Sequence, residues 1–175
     1  MSASPAKMSV LVGEQFACVK ITGRANFTSS IDFKTLLDEL RQRGLEHFVL
    51  DLSQCMLMDS TFLGVLAGFG LKLCAPQDGR RRPGLELLNP NARITELLES
   101  LGILQLFSLS TGPLPDPGGG HTADLAPAAA SPEEITRACL EAHQTLMDIN
   151  PDNVSRFKEV AQFLAEDLKK LGGVK

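Results

Sequence analysis

Residues 49–68 contain an apolar run of strand character followed at once by an apolar run of helical length. Little alternation occurs between residues 48 and 52, which predicts a strand buried on both faces. Asp59 and Ser60 stand where the helical run begins, and their short side-chain oxygens suit the unpaired amides of a helix N-terminus. The pattern therefore predicts a central strand and a helix, joined at Asp59-Ser60, with Ser60 as N-cap or first-turn residue.

The flanking segments add strands and helices in alternating order. Two short runs rich in strand formers, separated by Gly13-Glu14-Gln15, predict a hairpin in which Ala17, Val19 and Ile21 share one face. A helix follows around residues 33–40. A further strand at residues 85–88, a helix starting at Asn89-Pro90 and a last strand at residues 103–107 complete the series. Alternation after an opening hairpin predicts an α/β fold, a mixed four- to five-stranded sheet with helices packed on it.

The second half of the chain changes character after residue 110. Residues 111–131 are rich in proline, glycine and alanine, which predicts a flexible linker between a domain at residues 1–110 and an extension at residues 132–175. Ser131 and Pro132 suit a helix start, and Asn150-Pro151 breaks that helix to begin another, so the extension is predicted to be an αα-hairpin. The second helix carries an apolar stripe of Phe157, Leu164, Leu168 and Leu171. Either the first domain or a second protomer, in a homodimer, is expected to cover it.

Composition excludes several classes of function. A formal charge of −4 and a pI of about 5.4 argue against nucleic-acid binding, which needs a concentrated basic face. No apolar run has the length of a signal peptide or a membrane span, so a cytoplasmic protein without a membrane span is expected. Four cysteines, Cys18, Cys55, Cys74 and Cys139, are far apart in the sequence and are predicted to be buried thiols rather than zinc ligands or disulfides.

Catalytic and metal-binding patterns are also missing. A nucleophilic role for Ser60 would need a nearby base and an oxyanion hole. The histidines are His47, His121 and His143. They lie before a strand, in the predicted linker and on the appended helix, and their spacing places none beside Ser60. Asp51 and Asp59 are predicted to bind no metal, because two carboxylates without a third ligand make a weak site. The sequence therefore favours a protein that is not an enzyme and holds no cofactor.

The segment V-L-D-L-S-Q-C-M-L-M-D-S-T-F-L-G resembles the core of STAS domains, the module of bacterial anti-sigma-factor antagonists. In that family a hydrophobic strand ending in Asp runs into a D-S-[ST]-G-[LI]-[GA] segment, whose first Ser is phosphorylated by a partner kinase. Ser60 stands at that position, and Phe62 replaces the usual Gly. The other matching positions are Asp51, Asp59, Leu63 and Gly64. The resemblance extends over about residues 8–110, through Leu-Asn-Pro-Asn and the L-L-E-S-L-G-I-L-Q-L-F segment.

This resemblance implies an anti-sigma-factor antagonist regulated by phosphorylation. The unmodified protein would bind an anti-sigma factor, a serine kinase of the histidine-kinase-like ATPase type, and would release it when Ser60 is phosphorylated. ATP would belong to that partner, and a PP2C-type phosphatase would restore the unmodified form. The partner-binding residues implied are Asp51, Asp59, Ser60, Thr61 and Phe62.

Two other interpretations remain open. Ser60 on its own could be a plain helix cap without a regulatory role. The domain could also be a constitutive scaffold or regulatory subunit of a signalling or transport assembly, without phosphorylation.

Overall fold

A mixed sheet forms the centre of the computed structural model, which describes residues 6–14, 16–73, 76–77, 80–81, 84–113, 121–124 and 130–172. The strands are β1 (Lys7–Val12), β2 (Phe16–Ala25), β3 (His47–Met58), β4 (Pro76–Gln77), β5 (Arg80–Arg81), β6 (Leu85–Leu88), β7 (Ser108–Ser110) and β8 (His121–Asp124). The helices are α1 (Phe27–Gln42), α2 (Ser60–Leu73), α3 (Ala92–Ser100), α4 (Pro132–Ile149) and α5 (Val154–Gly172), with 3-10 turns at Leu104–Leu106 and Pro151–Asn153. None of the described helices is long and apolar enough to cross a membrane.

The strands of the main sheet follow the order β7-β6-β3-β2-β1-β8. Strands β2, β3, β6 and β7 run parallel to one another, whereas β1 is antiparallel to both β2 and β8. The predicted α/β fold with a mixed sheet, packed helices and a C-terminal helical pair is confirmed. Strand β8 of this sheet was not predicted: it lies inside residues 111–131, the segment expected to be a flexible linker, and pairs with the outer edge of β1. The short strands β4 and β5, which form a separate two-stranded sheet, were not predicted either.

The main hydrophobic core lies between the helices and one face of the sheet. Ala17, Val19 and Ile21 of β2 are fully buried on that face, as their alternation predicts. Phe33 of α1 contributes a fully buried ring to the same core. On the opposite face the described residues include a smaller cluster around Cys18, Val49 and Leu88. The helices therefore pack on the face that β2 presents through its odd-numbered positions.

The cysteines that the structure describes are free thiols. Cys18 and Cys55 are buried, as predicted, and Cys139 is half-buried. Burial raises the pKa of the Cys18 thiol and that of the Cys55 thiol to about 11. Cys74, the fourth predicted buried thiol, lies outside the described residues.

Two local boundaries differ from the sequence predictions. Helix α3 begins at Ala92 rather than Pro90, because Asn91 is its N-cap and accepts a hydrogen bond from the Ile94 amide at 2.8 Å. Asn89 instead has a positive φ of 55°. Residues 103–107, predicted as the last strand, contain the 3-10 turn at Leu104–Leu106. The last strand of this part of the chain begins only at Ser108, where it pairs with β6.

The C-terminal helices pack against the rest of the chain in order, α4 on α2 and α1, and α5 on α4. Ser131 caps α4 by accepting a hydrogen bond from the Glu134 amide at 3.1 Å. Leu146 of α4 is fully buried in the main core, and Phe157 of α5 packs against that core. The apolar stripe of α5 is covered only in part, since Leu164 and Leu168 are half-buried and Leu171 is exposed.

Candidate functional site

Ser60 is the first residue of α2, at the junction with β3 that the sequence predicts. The cap of this helix is Asp59, whose Oδ1 accepts a hydrogen bond from the Phe62 amide at 2.8 Å. The Oδ2 atom of Asp59 accepts another from the Phe27 amide, also at 2.8 Å, so one carboxylate joins the N-termini of α1 and α2. Ser60 is therefore a first-turn residue, and its side chain is not needed as the cap.

Burial raises the pKa of the Asp59 carboxyl. The hydrogen bonds from the Phe62 and Phe27 amides and the attraction to His143 act in the opposite direction, because they favour the charged form. Three first-turn amides of α2 are bonded to Asp59: those of Thr61 and Phe62 to its carboxylate, and that of Leu63 to its carbonyl oxygen at 3.0 Å. The positive end of α2 is thus already compensated in part by Asp59.

The Ser60 hydroxyl is hydrogen-bonded to a histidine of α4. Its Oγ lies 2.8 Å from Nε2 of His143, whose Nδ1 lies 2.6 Å from the carbonyl oxygen of Cys139. A carbonyl only accepts, so Nδ1 is assigned the proton, and in the neutral ring Nε2 accepts from the Ser60 hydroxyl. His143 is 5% exposed, and the Phe157 ring of α5 packs edge-on against it with centroids 5.0 Å apart.

The expectation that no histidine stands beside Ser60 is wrong for His143. The two residues are 83 positions apart, and their contact depends on how α4 packs on α2. No local spacing or motif encodes that packing. The helical period of α4 predicts only that His143 shares a face with Cys139, one turn earlier.

Two further contacts attach α4 to the beginning of α2. Gly64 has no side chain, and Ala142 fills the space that one would occupy, since a Cβ at Gly64 would lie 2.7 Å from the Ala142 Cβ. The Thr61 side chain is hydrogen-bonded to the Cys139 thiol, whose pKa is nevertheless raised by burial. The missing side chain of Gly64 therefore allows the close approach of α2 to α4.

The remaining residues implied as partner contacts are buried. Thr61 is 5% exposed beneath α4, and Phe62 is fully buried with its ring centroid 5.0 Å from that of Phe33. Asp51 is 3% exposed in β3, where its Oδ1 accepts a hydrogen bond from the Ser53 amide. Of the five residues, only Asp59 and Ser60 are half-exposed.

The hydrogen-bonded pair of Ser60 and His143 has the geometry of a nucleophile and its base, with the Cys139 carbonyl orienting the ring. Acyl transfer also needs amide donors for an oxyanion, and the Thr61 and Phe62 amides of the same helical turn are bonded to Asp59. Two grooves between α1, α2 and α4 are lined by residues such as Lys34 and Val65, but not by Ser60. Within the described part of the chain, no three His, Cys, Asp or Glu side chains cluster as metal ligands.

Comparisons with known proteins match the part of the chain that contains Asp59 and Ser60. The family model of the STAS domain matches residues 7–113. No curated protein sequence matches the chain. Among solved structures, the anti-sigma factor antagonist SpoIIAA in its unphosphorylated form is similar, with a TM-score of 0.49 and 14% identity over 60% of this chain and 88% of that chain. The matched segment contains β1 to β7 and α1 to α3, whereas α4 and α5 lie beyond it.

Proposed function

This chain belongs to the STAS domain family, and we propose that it is an anti-sigma-factor antagonist whose docking is switched by phosphorylation of Ser60. The observation that carries the proposal is the position of Ser60, which is the first residue of α2. The resemblance of residues 49–64 to the STAS core aligns Ser60 with the phospho-acceptor of that family. It is half-buried beside Asp59, and its hydroxyl is not the cap of the helix. Modification of Ser60 would therefore leave the capping interactions of α2 in place.

Phosphorylation of Ser60 acts on docking through charge. A phosphoryl group adds about 1.5–2 negative charges next to the Asp59 carboxyl. The helix dipole offsets part of this, by about 0.3–1 kcal/mol, but the Thr61 and Phe62 amides are bonded to the Asp59 carboxylate and are not free to bind the phosphoryl group. A partner that removed water from this spot would leave the dianion unpaired. Binding at this spot therefore changes more than the capping of α2 does.

The partner in this proposal is a serine kinase of the histidine-kinase-like ATPase type that acts as an anti-sigma factor in the cytoplasm. ATP belongs to that kinase, and a PP2C-type phosphatase removes the phosphoryl group. The chain itself is not an enzyme in this proposal. The engagement of the Thr61, Phe62 and Leu63 amides by Asp59 supports this, since these three amides are not free to bind an oxyanion beside the Ser60 hydroxyl.

A constitutive scaffold is the second candidate function. The observation that favours it is the hydrogen bond between Ser60 and His143, which engages the hydroxyl within the chain. A scaffold would keep this bond in every complex and would carry no phosphate.

The two candidate functions are distinguished with full-length wild type, Ser60→Ala and Ser60→Asp, each expressed in the native host. The intact mass of each purified protein is measured, its partner is recovered by pull-down, and the affinity of that partner for each form is then determined by titration. We expect phosphate on the wild type, retention of the partner by Ser60→Ala, and weaker binding by Ser60→Asp, by about 2–5 kcal/mol if the contact is desolvated. Ser155→Asp is the matched control, because Ser155 is also a first-turn residue, of α5. Equal affinity of the Ala and Asp forms would reject the switch and favour the scaffold.

A further inference from the structure

We propose that α4 and α5 form an autoinhibitory cover over Ser60, which must be displaced before a partner can dock on that residue or modify it. The role of Ser60 as the modified residue rests on the function proposed above. The cover itself rests on contacts between α4 and α2. Both helices of the cover lie beyond residues 7–113, the segment that matches the STAS family.

The cover contacts α2 at three positions within its first turn and a half. His143 bonds to the Ser60 hydroxyl at 2.8 Å, and Cys139 bonds to the Thr61 side chain. Gly64 lies against the backbone of Ala142. These are the positions that a partner recognising Ser60 would contact first. The intramolecular helix and an external partner therefore compete for the same surface.

A phosphoryl group on Ser60 is incompatible with this arrangement. Phosphorylation attaches a phosphorus atom and three oxygens to Oγ, at the place where the His143 ring stands. The ring cannot retreat without moving its helix, because Nδ1 is bonded to the Cys139 carbonyl at 2.6 Å and the Phe157 ring packs against its other side. Transfer of phosphate to Ser60 therefore requires α4 to move first.

The closed arrangement is held at a second place, where the cover meets the end of α3. The Asn153 Nδ2 atom donates to the carbonyl oxygens of Leu101 at 2.9 Å and Leu146 at 2.8 Å. Arg156 donates to the Ser100 hydroxyl at 2.8 Å. These contacts keep α4 on α2 in the resting chain. The apparent affinity of a partner for Ser60 is then reduced in proportion to the small fraction of open molecules.

Gly64→Ala tests the cover without altering Ser60 or His143. The added methyl group would lie 2.7 Å from the Ala142 Cβ and still closer to the Ala142 carbonyl oxygen, so α4 must shift. Gly68→Ala is the matched control, because it makes the same substitution one turn later in α2, where no heavy atom lies within 4 Å of an added Cβ. Both changes alter helix propensity equally.

The measurement is alkylation of Cys139 by iodoacetamide in the full-length chain, followed by peptide mass spectrometry. Cys139 is half-buried and bonded to Thr61 in the closed form. We expect Gly64→Ala to label about tenfold faster than wild type or more, as an overpacked contact opens. Gly68→Ala should label at the wild-type rate. Equal rates in all three folded proteins, with folding checked by circular dichroism, would overturn the cover.

A second measurement avoids any change in packing, in case Gly64→Ala fails to fold. Phosphoserine is incorporated at position 60 of the full-length chain during synthesis, and amide hydrogen exchange of residues 136–146 is compared with that of the unmodified protein. We expect faster exchange in these residues of α4. Phosphoserine at position 155 is the control, which should leave them unchanged. Unchanged exchange in α4 with phosphoserine at position 60 would overturn the cover.

The cover and the proposed function fail in different ways. In the native host, the phosphorylated fraction of Ser60 is measured for wild type, Gly64→Ala and Gly68→Ala. A higher fraction in Gly64→Ala alone supports both. Faster Cys139 labelling in Gly64→Ala, with no phosphate on Ser60 in any form, supports the cover and rejects the phospho-switch. Equal phosphorylation of all three forms together with equal Cys139 labelling rejects the cover and leaves the switch standing.

Discussion

The side chain of Phe62 packs in the core, although its position in the STAS-like segment implied a contact with a partner. It replaces the glycine usual at this position in the family, on the first turn of α2, where a partner contact was expected. Its ring is fully buried instead and lies 5.0 Å from the Phe33 ring between α1 and α2. Aromatic pairs at this distance contribute beyond the area that they bury. Phe62 is therefore a core residue placed directly beneath the site.

We expect Phe62→Ala to lower the free energy of unfolding by about 3–5 kcal/mol, because it leaves a cavity beneath the start of α2. Phe163→Ala is the control, since that ring is 69% exposed and its loss should change stability by about 0.5 kcal/mol or less. Urea unfolding measures both. Similar losses for the two variants would contradict a core role for Phe62.

Asp59 predicts a pH dependence of stability. Burial raises the pKa of its carboxyl in the folded chain above the ordinary value of 3.8, so the folded chain holds the proton more tightly than the unfolded chain. This contribution to stability is complete below pH 3.8 and is lost as the pH rises through the folded-state pKa. The amide side chain of the Asp59→Asn variant does not titrate. The advantage of wild type over Asp59→Asn should therefore be larger at about pH 4 than at about pH 7.

The measurement is urea unfolding of wild type and Asp59→Asn at both pH values. The variant also weakens a cap shared by two helices, a loss of about 0.5–2 kcal/mol at either pH, so only the change between the two pH values tests the shifted pKa. An advantage of wild type that grows with rising pH would contradict it.

Among the helices and strands, local sequence patterns predicted correctly the features that depend on neighbouring residues in the chain. The alternation of Ala17, Val19 and Ile21 gave the buried face of β2, and Ser131 gave the start of α4. The cap of α3 was assigned to Asn89 because Pro90 follows it. Asn91 is the cap instead, and its side chain also bonds to β3. That second contact is tertiary, and no spacing within residues 89–94 reveals it.

Asn91 caps α3 and also bonds α3 to β3, and two substitutions separate these two roles. Its Oδ1 accepts from the Ile94 amide at 2.8 Å, and its Nδ2 donates to the carbonyl oxygens of Cys55 at 3.1 Å and Met56 at 3.2 Å. Asn91→Ser keeps a cap but cannot donate to both carbonyls, so we expect a loss of about 1 kcal/mol. Asn91→Ala should lose about 1 kcal/mol more. Equal thermal stability of the two variants would mean that the cap contributes nothing.

In the whole molecule, the sequence predicts the position of Ser60 but not the residue that is hydrogen-bonded to it. The position of Ser60 follows from residues 49–68, because strand, junction and helix are adjacent in the sequence. Its partner His143 does not, because the contact crosses residues 111–131 and is set by the packing of Gly64 on Ala142. The same segment supplies β8, which pairs with the edge of β1. The composition of residues 111–131 predicted only a flexible linker. A short strand at the edge of a sheet needs no apolar pattern of its own, so β8 could not be recognised from the sequence.

The helical pair is part of the core, and a truncation tests this. A chain ending at residue 130 keeps the segment that forms β8 but loses Leu146, which is fully buried in the main core, and Phe157, which packs against it. Burial of one leucine contributes about 1.5–3 kcal/mol, so we expect the melting temperature to fall by roughly 5–10 °C. The surface around Gly64, now bare, should also lower solubility or bring two copies together.

Two comparisons decide whether the helical pair is integral. A second truncation, ending at residue 113 where the STAS match stops, also removes β8, so the difference between the two truncated chains isolates the edge strand. Calorimetry gives the melting temperatures, and light scattering gives the oligomeric state. If the chain ending at residue 130 keeps the full-length melting temperature, solubility and oligomeric state, α4 and α5 are an independent appendage, because loss of a buried leucine and of the contacts to Ser60 cannot leave all three unchanged.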